Sequence, residues 1–265
     1  MLDSMYIGAT GMHAQQMNVD SVANNLANVN TVGYKRTRVS FVDLVSHDAT
    51  QRAGALDTPS LTGLDDIQRA GMGVGVTGIA KMFDLGDVKK TDSMYDLAIS
   101  GEGFFEVTLA DGTSAFTRGG TFKVNADGLL ATQAGHAFKP AIAVPDTAQA
   151  ITVDQDGRVL ARMPGQSAPL ELGQLDLVRF SNPTGLEARG DNEYRASASS
   201  GEPIAGRAGA DAMGTVRQGY LEGSNVKLVD EMVNLMMAQR AYEASVKVVQ
   251  ASDEMLGMVN GLRRG

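Results

Sequence analysis

Apolar residues near the C-terminus step alternately by four and three: Leu228, Met232, Leu235, Tyr242, Val246, Val249 and Leu256, with Gln239 and Asp253 as polar members of the same stripe. Neither Pro nor Gly interrupts the run between Gly223 and Gly257. The spacing therefore predicts one helix from Asn225 to Leu262, about 55 Å long at ~1.5 Å per residue. Ser224 or Asn225 is expected to cap its first amides, with Asp230 and Glu231 at the positive end and Arg263 and Arg264 at the negative end. At the other terminus Met5, Ala9, Met12, Val19, Ala23 and Leu26 repeat the pattern, with Gln16 in the polar slot. That segment is a weak helix alone, because Asn18, Asn24, Asn25, Asn28 and Asn30 compete for its backbone and Gly8 and Gly11 raise its unfolded entropy. Up to Asn30 its only charged side chains are Asp3 and Asp20, so its polar face can be buried by hydrogen bonding.

Between the helices the period changes. Asn30 to Gly33 reads as a turn and Tyr34 to Leu44 as strand or short helix, while Ser46 to Gly78 is small, polar and rich in glycine. From Ile79 apolar and polar residues alternate, and Asp111-Gly112, Asp127-Gly128 and Asp156-Gly157 mark hairpin turns. Phe104, Phe105, Val107 and Leu109 precede the first turn; Phe116, Phe122 and Val124 precede the second. This alternation predicts an antiparallel sheet with one buried face. The expected class is α+β. Long N- and C-terminal helices form a coiled-coil-like inner domain (1–45 with 220–265), an extended arm covers 46–78, and an antiparallel β-rich outer domain (79–219) is inserted between them.

A net charge of −8 without Lys or Arg runs argues against nucleic acid and anionic membranes as partners. The chain has no cysteine, which suits passage through an oxidising space. No stretch approaches the roughly 18 apolar residues of a membrane span. MLDSMYIGATGMHAQQ lacks the basic start and apolar run of a secretory signal, which taken alone points to the cytosol.

Chemical sites are sparse. His13, His47 and His136 lie in unrelated segments, and the neighbouring carboxylates Asp65-Asp66, Asp230-Glu231 and Asp253-Glu254 are not placed for acid/base work. Gly73 to Gly78 matches the glycine pattern of a dinucleotide loop but lacks its strand and helix flanks, so a close-packed turn is the better reading. No GxSxG occurs. Neither catalytic, metal nor cofactor residues are assigned, and no small-molecule substrate is expected. The C-terminal methionines are read as core shared with other chains. An enzyme would need a cleft with convergent carboxylates, and an adhesin should be a stable monomer with ordered ends.

VANNLANVNTVGYK (Val22 to Lys35) and LEGSNVKLVDEMVNLMMAQRAYE (Leu221 to Glu243) resemble the signature ends of the bacterial flagellar rod and hook axial proteins. DLAISGEGFFEV (Asp96 to Val107) and FTRGGTFKVNADGLLAT (Phe116 to Thr132) are similar to that family's first β segments, in the same order. Length, the 46–78 arm and the LEGSNV junction most resemble its distal rod members. Proximal rod members are the alternative, followed by a hook-type protein, for which the middle of the chain is too short, and by a non-flagellar binding module.

The resemblance implies a non-enzymatic subunit of a hollow helical homopolymer in the basal body, spanning the periplasm towards the outer membrane. Its implied partners are proximal rod, hook or hook-junction proteins, the P-ring and L-ring bushings, and the flagellar type III export apparatus, with Phe41 and Val45 in FVDLV as export signal. Met5, Met12, Val19, Leu26, Leu228, Met232, Leu235, Tyr242, Val246, Val249 and Leu256 are the expected inter-subunit helix seam.

Overall fold

Helix α1 spans Leu2–Ala27 and helix α2 spans Leu228–Leu262, close to the extents that periodicity predicts. The computed structural model describes residues 2–45, 71–165, 168–210 and 212–262, so residues 46–70 of the expected arm, with His47, Asp65 and Asp66, lie outside the described residues, as do Arg263 and Arg264. The chain divides into two units.

The first unit comprises residues 1–26, 37–80 and 229–265. It holds both helices and a two-stranded sheet of β1 (Thr37–Val45) and β2 (Gly71–Lys81). Residues 71–78, the end of the expected arm, are thus strand, and the glycine-rich Gly73 to Gly78 run lies inside β2, not in a turn or a phosphate loop.

A coiled-coil-like inner domain is not what forms. Among the described residues there are two α-helices against eighteen strands, so the class is α+β with a large β-rich body. The helices run antiparallel, as their contacts show. A Cβ placed on Gly8 would fall 2.6 Å from Val249 Cγ2 and one on Gly11 would fall 3.2 Å from Ser245 Oγ. At the other end Asn25 Nδ2 donates to Glu231 Oε2 at 3.2 Å. The buried residues of α2 are Glu231, Ala238 and Ser252, each one position before Met232, Gln239 and Asp253 of the predicted stripe, which are exposed. In α1 the buried positions are Gly8, Ala14, Ser21, Val22 and Asn25. The physical reason is size. Gly8 and Gly11 let α1 approach closely enough for Val249 and Ser245 to fill the space a side chain would take, whereas a full seam of Met and Val knobs on both helices would hold them apart. The buried hydroxyls remain satisfied inside the helix, with Ser252 Oγ donating to Val248 O at 2.8 Å and Ser245 Oγ to Ala241 O at 3.0 Å.

Asn25 ties this unit together. Fully buried, it donates to Thr37 O (2.9 Å) and Glu231, and its Oδ1 accepts from Thr37 N (2.8 Å) and Thr37 Oγ1 (2.9 Å). Asn25→Ala removes four hydrogen bonds from a buried site and is expected to cost about 2–3 kcal/mol. Hydrogen exchange of the α1 amides should quicken by about a hundredfold, since ~1.4 kcal/mol corresponds to tenfold in an equilibrium constant.

The second unit comprises residues 27–36 and 81–228. Its central sheet runs β14 (Glu187–Gly190), β15 (Glu193–Arg195), β6 (Ser114–Thr117), β5 (Phe104–Thr108), β9 (Ala137–Phe138), β8 (Leu130–Thr132) and β7 (Phe122–Val124). Strand β13 (Asp176–Arg179) joins β5 to β16 (Ile204–Arg207). A three-stranded sheet of β10 (Ala150–Val153), β11 (Arg158–Arg162) and β12 (Leu170–Gln174), and the pairs β17 (Thr215–Gln218) with β4 (Leu97–Ser100) and β18 (Tyr220–Glu222) with β3 (Val88–Lys90), complete it. The three Asp-Gly turns join β5 to β6, β7 to β8 and β10 to β11, with Gly112, Gly128 and Gly157 at positive φ as such turns require.

Strand β5 is buried on both faces, not one. Phe105 stacks edge-on against Phe122 (5.4 Å) and Phe138 (5.5 Å) in one core, while Phe104 lies in a second core with Phe116, Phe180 and Tyr194. Alternation along β5 therefore separates two apolar layers.

Candidate assembly faces

The turn expected at Asn30 to Gly33 brings a lysine into the β-rich unit. Gly33 adopts φ +68, its N–H donates to Glu222 O at 2.8 Å, and an added Cβ would sit 2.9 Å from Arg118 O, so only glycine lets the chain pass here. Lys35 follows, completely buried. Its Nζ donates to Glu222 Oε1 at 2.7 Å and to Asp84 O at 2.7 Å. Arg118 Nε lies 3.1 Å from Glu222 Oε2, off the axis of an aligned hydrogen bond, and its Nη2 donates to Gly101 O. Gly86 N completes the carboxylate's shell at 2.9 Å. Burial, and then the Arg118 guanidinium, push the Lys35 amine below the ordinary lysine range; burial does the same to Arg118. One carboxylate thus holds two buried cations.

Asn225 closes the same region. It accepts from Arg36 N (2.7 Å) and donates to Met82 O (2.8 Å) and Asp84 O (3.1 Å). The N-cap expectation is corrected accordingly: α2 begins at Leu228, and Ser224 Oγ accepts from Val226 N at 3.2 Å in the turn before it. Beside this cluster Lys81 Nζ stands 5.0 Å from the Tyr34 ring centre and 5.4 Å from that of Tyr194. Burial pushes the Tyr194 phenol up and the Lys81 amine down. Each of Lys35, Arg118, Glu222 and Asn225 lies inside one of the quoted motifs, VANNLANVNTVGYK, FTRGGTFKVNADGLLAT and LEGSNV, but nothing in those motifs says that the three segments meet.

His136 pairs through Nδ1 with Glu193 Oε1 at 2.8 Å, and Glu193 borders a hollow of about 530 Å³ lined by Thr31, Thr117, Thr121, Thr132 and Asn192 among others. The lining is hydroxyl- and amide-rich, and the histidine and glutamate are spent on each other.

In the helical unit the predicted seam residues separate into two groups. Leu235, Val246, Val249 and Leu256 of α2, and Met5, Met12, Val19 and Leu26 of α1, are half-buried. Leu228, Met232 and Tyr242 are exposed. Around them α2 displays Val229, Val233, Met236, Met237, Met258 and Val259, none of which the four-three stripe includes. The signal that could have found them is apolar excess: a helix apolar on more than one face has more than one neighbour. Phe41 is 44% exposed on β1, and Val45 is the last residue of that strand.

Comparison with known proteins covers the whole chain. Residues 5–35 match the family model described as flagella basal body rod protein, 98–161 that of the flagellar hook protein FlgE/F/G D1 domain, and 217–262 that of the flagellar basal body rod FlgEFG protein C-terminal. The chain is 42% identical over 267 residues to the flagellar basal-body rod protein FlgG of Borreliella burgdorferi, covering 100% of both. It is 35% identical over 269 residues to FlgG of Bacillus subtilis, again covering 100% of both. To the rod protein FlgF of Caulobacter vibrioides it is 33% identical over 260 residues, 96% of this chain and 95% of the relative.

Proposed function

The chain belongs to the flagellar basal-body rod family, and from that premise we propose that it is the distal rod subunit, a structural protein of the basal body that polymerises helically into a hollow shaft. The shaft transmits torque to the hook and lets exported subunits pass. The observation that carries this reading is the match to FlgG proteins, 42% identical to that of Borreliella burgdorferi over 100% of both chains.

The exposed apolar faces of α2 supply the lateral contacts, with Leu228, Met232 and Tyr242 at their centre and the half-buried Leu235, Val246, Val249 and Leu256 at their edge. A role in structure and not in catalysis agrees with this use of surface. Proximal rod and hook or hook-junction proteins are the axial neighbours, the P-ring and L-ring proteins the surrounding ones, and Phe41 with Val45 the contact offered to the export apparatus. α1, with its amides and glycines, is a helix that packing must stabilise, which suits a chain threaded through that apparatus before it assembles.

Production of the chain in a flagellated bacterium deleted for its own distal rod subunit tests the proposal. Hooks on completed basal bodies and recovered swimming are expected. Recovery only in a strain deleted for a proximal rod subunit would reassign the chain to that position.

A further inference from the structure

Helix α2 carries five methionines, Met232, Met236, Met237, Met255 and Met258, and all are between 41 and 64% exposed. They are not among the positions that α1 meets, Glu231, Ser245, Val248 and Val249, and they lie on the apolar surface assigned above to neighbouring subunits. The chain has no cysteine, so thioethers are its only sulfur nucleophiles. We propose that this methionine row is an oxidation site that decides whether a subunit can join the polymer.

A hydroperoxide reaches these side chains in the free subunit. The thioether lone pair attacks one peroxide oxygen, the S–O bond forms as the O–O bond breaks, sulfur is oxidised by two electrons, and hydrogen peroxide leaves as water after proton transfer. The product sulfoxide is polar and chiral, and covering it with an apolar neighbour strips its hydration without supplying a donor. Once subunits are joined the same sulfurs are shielded, so the sensitivity belongs to the interval before assembly. The inference rests on the assembly reading of α2 proposed above.

The test treats the full chain with hydrogen peroxide, maps sulfoxides by peptide mass spectrometry and follows self-association by sedimentation. Oxidation at Met236, Met237 and Met258 is expected at least tenfold faster than at Met213, which is 8% exposed. Association should weaken at least tenfold, and methionine sulfoxide reductases should restore it. A chain with all five changed to Leu should associate whether or not it is treated. Undiminished association of the oxidised natural chain, or equal loss in the five-Leu chain, would overturn the proposal. Failure of the untreated chain to associate would instead overturn the assembly reading, and the proposal with it.

Discussion

Glu222→Ala is expected to cost the β-rich unit about 3–5 kcal/mol, the range for breaking a buried ion pair by removing one partner. Two cations depend on this one carboxylate: Lys35 at 2.7 Å and Arg118 at 3.1 Å, in a pocket where neither side chain is more than 3% exposed. Removal leaves both buried without an anion and also frees Gly86 N. A loss of that size is a large fraction of the stability of an ordinary domain. The measurement is the guanidinium midpoint of the full chain, read through its tyrosines. Glu222→Ala combined with Lys35→Met should recover part of the loss, because one of the two stranded charges is gone. An unchanged midpoint in the single variant would show that the triad does not bear on stability.

Met232→Glu with Met236→Glu should abolish swimming and hook formation while leaving the monomer within about 0.5 kcal/mol of the natural chain. Both side chains are at least half exposed, so the substitution removes little packing within the subunit. In the polymer the same positions meet a neighbour, and two carboxylates covered without partners cost several kcal/mol at each of many repeated contacts. Soft-agar motility and electron micrographs of basal bodies, set beside urea unfolding of the purified chain, check both halves of the expectation. Normal rods from the double variant would remove α2's outer face from the lateral contacts.

The contrast between these variants tracks what the sequence exposes to inspection. Long helices and Asp-Gly hairpins are local, and their signals lie within a few residues of the structure they produce. The side of α2 that α1 covers is not local. Its selection depended on Gly8 and Gly11 standing opposite Val249 and Ser245, so the contact takes one member of the apolar stripe, Val249, together with a serine outside it. Periodicity identifies an apolar face but does not say whether the chain itself or another molecule covers it. The second core of the β unit was hidden for a similar reason: Phe104 and Phe105 both count towards one buried face in the alternation, although they serve opposite faces. The Lys35, Arg118 and Glu222 cluster draws on three of the quoted motifs, with residues up to 187 apart in the chain, and no single motif shows that they converge.

Strands β3 and β18 pair in register, Tyr220 with Lys90 and Glu222 with Val88, and Asn225 binds both Met82 and Arg36 beside them. The chain therefore leaves for the rest of the β body and returns from it at one hydrogen-bonded gate. What lies between Lys90 and Tyr220 is, in engineering terms, a cartridge. A different body grafted at those two residues would have to match the gate and also supply the guanidinium that Arg118 offers to Glu222 and the rings that Phe104 and Tyr194 offer to Phe83, so the cartridge is keyed to its socket.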